Sequence, residues 1–176
     1  MNDCSFDQPH TPLKKSDYQS VVEFNKTFGV PVYDTPQKDI FTRDPALVEY
    51  RLSLIREEVK ELEEACKNKD LVETVDALAD IIYVVQGMAC SLGLDLDTAF
   101  DIVHKSNMSK VCRTEEEAQA TVAYYKENME RLGYDSPAYR KSADDKYWVV
   151  FNESTKKILK SINYTPAEFL WVAHQS

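Results

Sequence analysis

The stretch LVETVDALADIIYVVQGMACSL, from Leu71 to Leu92, decides the fold of this chain. From Val75 onward it is apolar on nearly every side of a helix, which is typical of a buried helix. It nevertheless contains Asp76 and Asp80, one turn apart on one face, with Glu73 on the turn before. Because a buried carboxylate without a partner is very unstable, we expect a cation, most simply a metal ion, to neutralise this acidic edge.

A second acidic helix precedes this stretch. Asp44 followed by Pro45 is a typical helix start, and the apolar pattern continues to about Asn68. The apolar stripe of this helix consists of Leu47, Tyr50, Leu54, Ile55, Val59, Leu62 and Cys66. Glu58 falls inside the stripe, while Glu57 and Glu61 border it, so acids occupy the side that is expected to face the core.

The two helices are expected to form an antiparallel hairpin. Residues 68–70 are only long enough for a tight turn, which brings neighbouring helices back on each other. Residues equidistant from this turn should meet. The pairing places Glu61 roughly opposite Asp76 and Glu58 roughly opposite Asp80, so two acidic edges are predicted to face each other.

Carboxylates without His or Cys partners favour Mg²⁺ or Mn²⁺ over zinc, since these hard cations prefer oxygen ligands. A structural ion pair with Arg56 or Lys60 is the alternative interpretation of the same acids. Glu63 and Glu64 are interpreted as a solvated helix face. The number of cations placed near the hairpin is too small to neutralise all of these acids, which favours the metal.

Composition limits the functions of the chain. It has 176 residues with 43% hydrophobic content, enough for a substantial core and, by length, most simply one domain. The net charge of −9 disfavours sequence-independent nucleic-acid binding. The longest uncharged run, Ile81 to Leu94, is shorter than the about 20 residues of a membrane span, and no signal peptide is recognisable. Scattered cysteines without a CxxC pair favour a reduced, cytoplasmic protein without membrane partners.

Further along the chain, turn and cap residues divide the rest of the sequence. We expect a loose arm over residues 1–16, a helical domain over 17–133 and an extension over 134–176. The extension is predicted to contain a β-hairpin formed by the runs KYWVVF and KKILKSI around the turn NEST, followed by a short helix. In the helix that ends near Lys110, Phe100 and Val103 are expected to face inward.

Several motifs resemble a known family. Residues 56–61, REEVKE, contain an EExxE motif, and ETVDALADIIYVV and HKSNMSK follow at 73–85 and 104–110. This combination resembles the MazG-like all-α nucleoside triphosphate pyrophosphohydrolases. The segments VVEFNKTFGVP, DALADIIYVVQGMACSLGLD and HKSNMSK are most similar to the branch described as phosphoribosyl-ATP pyrophosphohydrolase-like. The resemblance covers roughly Tyr18 to Val111.

The resemblance implies an all-α, antiparallel helical bundle that forms a homodimer or a dimer of dimers. It also implies Mg²⁺-dependent hydrolysis of a nucleoside or deoxynucleoside triphosphate to the monophosphate and pyrophosphate, a reaction that clears unwanted nucleotides from the pool. Mn²⁺ is a possible substitute. The implied metal ligands are Glu57, Glu58, Glu61, Asp76 and Asp80.

The expected reaction also suggests roles for individual residues. A carboxylate that is not fully used as a ligand, Glu57 or Glu58, accepts a proton from the attacking water. Lys105, Asn107 and Lys110 are expected to contact the phosphates or the sugar. Ordinary placement of lysines near a helix C-terminus is the alternative for Lys105 and Lys110.

One departure leaves the ligand set open. The family's second motif is ExxD, and the position three before Asp80 is Ala77. Either Asp76 replaces the expected acid, or Glu73 and Asp76 are the motif itself.

Other functions remain as alternatives. A di-iron helical bundle needs Glu-x-x-His on two helices, and none of the three histidines lies three residues after a glutamate. A non-catalytic helical dimer that binds a nucleotide or a metal uses the same acidic hairpin without turnover. Phosphoribosyl-ATP itself is a further possible substrate.

Overall fold

A computed structural model describes residues 15–173. These residues form eight helices and one two-stranded antiparallel sheet, and 60% of them are helical. The predicted all-α fold with a small β extension is therefore confirmed. The expected N-terminal arm lies, as far as residue 14, outside the described residues. The chain divides into two compact units between Asp97 and Thr98.

The elements of the first unit are α1 (Asp17–Thr27), α2 (Ile40–Arg43), α3 (Pro45–Asn68) and α4 (Leu71–Leu92). Helix α5 (Leu96–Met108) begins at the boundary and lies almost wholly in the second unit. The second unit continues with α6 (Glu115–Glu127), α7 (Met129–Leu132), β1 (Pro137–Lys141), β2 (Trp148–Asn152) and α8 (Leu170–Ala173).

The hairpin of α3 and α4 forms as predicted, because its caps are local. The Asp44 carboxylate caps the start of α3, and Pro45 occupies the first turn. Lys69 ends that helix in the left-handed conformation, with φ of 59°. Asp70 then caps α4 by accepting hydrogen bonds from the backbone N–H groups of Val72 and Glu73. The whole turn is therefore satisfied by residues within the predicted 68–70 segment and its neighbours.

A buried arginine joins α3 to α4 near the other end of the hairpin. Arg51 is 7% exposed, and its Nε donates a hydrogen bond to Ser91 Oγ at 3.0 Å. Gly87 makes this approach possible, since a Cβ at that position would lie 3.1 Å from Arg51 Nη1. Ser91 Oγ in turn donates to the Gly87 carbonyl oxygen at 3.1 Å.

The burial of α4 differs from the prediction. Its buried positions are small or polar residues, among them Ala77, Ala89 and Cys90. One apolar face is open to solvent in the single chain; the residues on it are Leu71, Val72, Val75, Leu78, Ile82 and Tyr83. The expectation that α4 is covered on every side, with Asp76 and Asp80 inside, is therefore wrong for the isolated subunit, and both aspartates are exposed.

Helix α4 is also the one helix of residues 15–173 long and apolar enough to cross a membrane by length and composition. The core helix of a soluble protein passes the same test. In α3 the buried position near the turn is Ala65, whereas Cys66, predicted for the stripe, is exposed. In α5, Phe100 is 74% exposed and Val103 is also exposed, so the inward orientation predicted for both is wrong for a single subunit.

The core of the second unit joins α6 to the β-hairpin formed by β1 and β2. It consists of Cys112, Ala118, Val122, Tyr125, Val150 and Leu159. Strand β2 pairs antiparallel with β1, with Ala138 opposite Phe151. The predicted partner KKILKSI was wrong as a second strand, since it contributes only an isolated bridge between Ile158 and Phe151. Because α6 and the hairpin share one core, the compact units do not divide at the predicted 133/134 boundary.

Candidate active site

Five predicted acids lie along the facing sides of α3 and α4. Glu58 is half-buried, whereas the other four are exposed. Burial raises the pKa of the Glu58 carboxyl, and the charges of Glu61, Asp80, Glu57 and Asp76 raise it further, in that order. The hairpin therefore brings the two acidic edges close enough to repel each other, as the register from the turn predicted.

Positive charge does not compensate this cluster within residues 15–173. Arg56 forms its ion pair with Glu49, with 2.5 Å between Nη1 and Oε1. No ion pair joins Arg56 or Lys60 to the five carboxylates among the residues that the structure describes. The structural alternative, in which one of these cations neutralises the acids, is therefore not the arrangement of this chain.

An acidic cleft of about 280 Å³ lies at the turn end of the hairpin. Glu61 from α3 and Asp76 from α4 line it, together with Glu73. Asp80 acts on Glu58 instead, further from the turn. The cluster thus has two overlapping parts, and Glu61 and Asp76 belong to both. Glu73 enters only the part at the turn.

The cluster has the donor chemistry of a divalent-metal site. Its donors are carboxylate oxygens, the ligands that Mg²⁺ and Mn²⁺ prefer. Within the described part of the chain, no three His, Cys, Asp or Glu side chains converge closely enough to form a complete ligand set. The mutual repulsion around Glu58 nevertheless leaves a local excess of negative charge that a cation would relieve. The residues fit such an ion by charge and chemistry.

A cavity of about 240 Å³ lies between α1 and α4. One of its lining residues is the sequence neighbour of Asp80. Its walls include Asp17, Ala79, Tyr83 and Gln86. The Gln86 side-chain oxygen is buried and has no hydrogen-bond partner within residues 15–173. A buried acceptor without a partner is unfavourable, because it has lost its hydrogen bonds to water.

The three predicted phosphate-binding residues lie at the end of α5, in the second unit. Lys105 pairs with Asp101 at 2.5 Å across one exposed helical turn. Lys110 Nζ donates to Asn107 Oδ1 at 2.6 Å, so these two residues satisfy each other. Lys105 lines a cavity of about 490 Å³, whereas Asn107 and Lys110 do not. The three residues therefore do not line one common binding site.

Other residues with functional potential were missed by the sequence analysis. Arg113, Tyr147 and Asn163 line the same cavity as Lys105, although they are far apart in the sequence. No motif marks them, because the cavity is formed by tertiary packing. Gln86 was missed as well, since a single glutamine on an apolar helix has no specific pattern.

A mostly helical fold with an uncompensated acidic hairpin agrees with the class that the sequence motifs resemble, the all-α pyrophosphohydrolases. Comparison with known proteins gives the same class. A family model described as phosphoribosyl-ATP pyrophosphohydrolase matches residues 21–107. The chain is also 30% identical to the uncharacterized protein L479 of Acanthamoeba polyphaga mimivirus, over an alignment of 233 positions that takes in 84% of this chain and 92% of that protein.

Residues 21–107, just under half of the chain, therefore carry a phosphoribosyl-ATP pyrophosphohydrolase domain, consistent with the MazG-like superfamily. Both helices of the acidic hairpin lie inside the matched residues, as does most of α5. The resemblance seen in the EExxE and SNMSK motifs is thereby confirmed. Pyrophosphohydrolases of this family typically use divalent metals.

Proposed function

We propose that this protein hydrolyses a nucleoside or deoxynucleoside triphosphate to the monophosphate and pyrophosphate, with Mg²⁺ held by the hairpin of α3 and α4. The observation that carries the proposal is the set of five facing carboxylates without a cationic partner among the described residues. A triphosphate brings several further negative charges, so binding at this edge is repulsive unless divalent cations are present.

The proposed ligands are Glu58, Glu61, Asp76 and Asp80, with Glu57 beside them. Bound Mg²⁺ supplies charge neutralisation for the phosphates and a more acidic water. Glu57 or Glu58 then accepts the proton of the attacking water. In the metal-free protein, burial and the neighbouring acids raise the pKa of the Glu58 carboxyl, which is the direction that favours a general base.

The cavity between α1 and α4 is the proposed position of the base. It adjoins the acidic edge, and Tyr83 and Gln86 offer a ring and an unpartnered acceptor. A buried side chain that hydrogen-bonds the ligand gives strong discrimination, since the wrong base leaves it without a partner. Phosphoribosyl-ATP is the second candidate substrate, favoured by the description of the matching family.

The test is a panel of ribo- and deoxynucleoside triphosphates with phosphoribosyl-ATP included, each assayed with Mg²⁺, with Mn²⁺ and with EDTA. Release of pyrophosphate and monophosphate in a metal-dependent manner supports the proposal. Release of orthophosphate instead contradicts cleavage at the α-phosphorus. Absence of turnover on the whole panel, with nucleotide binding retained, favours the non-catalytic module.

We further propose a homodimer or a dimer of dimers. The open apolar face of α4 supports this, because Leu71 and Val72 are 75% and 76% exposed. Contiguous apolar surface of this kind usually marks an interaction site. A cytoplasmic location without nucleic-acid or membrane partners is part of the same proposal, in keeping with the net charge of −9 and with the free thiols of Cys66, Cys90 and Cys112.

A further inference from the structure

The second unit contains a cavity of its own, formed by the end of α5, the segment before α6, and residues near 147 and 163. Its volume of about 490 Å³ lies in the range of about 300–1,000 Å³ typical of small-molecule sites. Apart from Lys105, all its lining residues follow residue 107, where the family match ends. The cavity is therefore not part of the acidic hairpin.

Hydrogen bonds hold the walls of this cavity together. Ser106 Oγ donates to the Tyr164 hydroxyl oxygen at 3.0 Å, and Ser109 Oγ accepts from the Thr165 N–H at 2.9 Å. These bonds fix the C-terminal segment against the end of α5. Because these hydrogen bonds join segments more than fifty residues apart in the sequence, the shape of the cavity is fixed by tertiary structure.

The charges of the cavity favour an anion. Lys105 and Arg113 contribute two cations from two different segments. Glu117 also lines the cavity and stays ionised, since Ser161 Oγ donates to Oε1 at 2.5 Å and the Arg113 N–H donates to Oε2 at 2.8 Å. The lining therefore carries two cations and one carboxylate. The ion pair of Lys105 with Asp101 is exposed, and exposed pairs of this kind are weak and easily exchanged for a phosphate.

The remaining lining favours a ring. Tyr147 offers an aromatic surface, Met108 and Val111 offer apolar contacts, and Asn163 has an amide at the same cavity. Aromatic side chains stack on nucleobases with little dependence on base identity. Guanidinium groups bind phosphates through paired donors.

We propose that this cavity is a second nucleotide site that takes a nucleoside monophosphate, with the phosphate on Lys105 and Arg113 and the base against Tyr147. The site goes beyond the proposed hydrolysis and does not need a metal. A monophosphate is the product class of that reaction, so occupation of the site by product is its direct functional consequence.

The experiment is isothermal titration calorimetry of the full chain with AMP and UMP in EDTA, at low salt. Inorganic phosphate and adenosine are titrated in parallel. We expect saturable binding of both nucleotides, at least tenfold weaker binding in Arg113→Gln and in Lys105→Gln, and weaker binding in Tyr147→Ala. Lys126→Gln, an exposed cation of α6 outside the cavity, is the matched control and should stay within twofold of wild type.

A second control separates this site from the catalytic one. The variant Asp76→Asn with Asp80→Asn removes charge from the hairpin and should bind AMP in EDTA as wild type does. Failure of wild type to bind either nucleotide at millimolar concentration overturns the proposal. So does inorganic phosphate that binds as tightly as AMP, which defines a simple anion site, or binding that Arg113→Gln leaves unchanged. Each of these outcomes leaves the test of triphosphate hydrolysis unaffected.

Discussion

Arg56 binds Glu49, two turns earlier on α3, and not the acids that follow it directly in the sequence. The pair has 2.5 Å between Nη1 and Oε1 and lies on an exposed part of the helix. As a result, the cation adjacent to Glu57 in the sequence is engaged elsewhere. The facing carboxylates therefore repel one another unless another cation, such as a metal ion, binds between them.

Glu58→Gln and Asp80→Asn should each lower pyrophosphate release by at least about a hundredfold while the protein stays folded, since each removes a ligand charge with an isosteric amide. Steady-state assays with Mg²⁺ measure this. Glu63→Gln, an exposed acid of the same helix, is the control. If a variant keeps turnover within about tenfold of wild type, equivalent to about 1.4 kcal/mol of barrier, the residue substituted in it does not belong to the metal site.

Mg²⁺ or Mn²⁺ should raise the melting temperature of the wild-type protein. At a free metal concentration about a hundred times the dissociation constant, linkage contributes about 2.7 kcal/mol. Asp76→Asn with Asp80→Asn should melt higher than wild type in EDTA, because repulsion is relieved, and should gain less from the metal. Equal gains in both proteins would show that the ion binds away from the hairpin.

Val75→Glu should weaken self-association. Val75 is 62% exposed on the apolar face of α4, and a charge in a dimer interface at this position is costly to desolvate. Sedimentation velocity at micromolar concentration should give a dimer or tetramer for wild type and a smaller species for the variant. Ile158→Glu, an exposed apolar residue of the second unit, is the comparison. A monomeric wild type contradicts the proposed assembly.

Gly93→Ala should destabilise the first unit far more than Gly29→Ala. Both glycines have φ of +69°, so both substitutions carry the left-handed penalty of about 1–2 kcal/mol. A Cβ at Gly93 would also lie 1.8 Å from the carbonyl oxygen of Thr35, whereas nothing lies within 4 Å at Gly29. We expect a loss on the order of 3 kcal/mol or more for Gly93→Ala in urea unfolding. Equal losses would show that the loop moves away without cost.

Asp135→Asn should change the acid stability of the second unit. Hydrogen bonds from Ser154, Asn152 and Ser136 lower the pKa of Asp135 from 3.8 to about 2. A carboxylate with a lowered folded pKa stabilises the fold above its unfolded pKa, and this stabilisation is lost as the pH falls from about 4 to about 2. Between pH 6 and pH 2.5, the melting temperature should therefore fall more steeply with decreasing pH in the wild type than in the variant. Parallel curves would show that these hydrogen bonds do not favour the ionised form.

The hairpin and its acidic register were predictable from the sequence because their causes are local. Asp44 with Pro45 and the cap at Asp70 fix where α3 and α4 begin, and helical periodicity then aligns Glu58 with Asp80. The coverage of α4 was not predictable in the same way. Periodicity identifies apolar faces, but it does not say which face another part of the same chain covers.

Long-range packing explains the other differences. Strand β1 was missed because PAYRK begins with proline and ends with two cations, a poor strand pattern. The burial of Arg51 was missed as well, although Gly87 within a helix is a signal of close approach by a neighbouring group. In each case the partner lies far along the chain, where no spacing rule applies.

The shared core of α6 and β2 also limits how the gene can be shortened. Val122 and Val150 belong to the same buried cluster, so a stop codon after residue 133 would remove two of its six residues, expose the other four and leave a fragment prone to aggregation. A break near residue 97 follows the boundary between the compact units instead. A shortened protein should therefore keep the segment from Thr98 onward whole rather than end after residue 133.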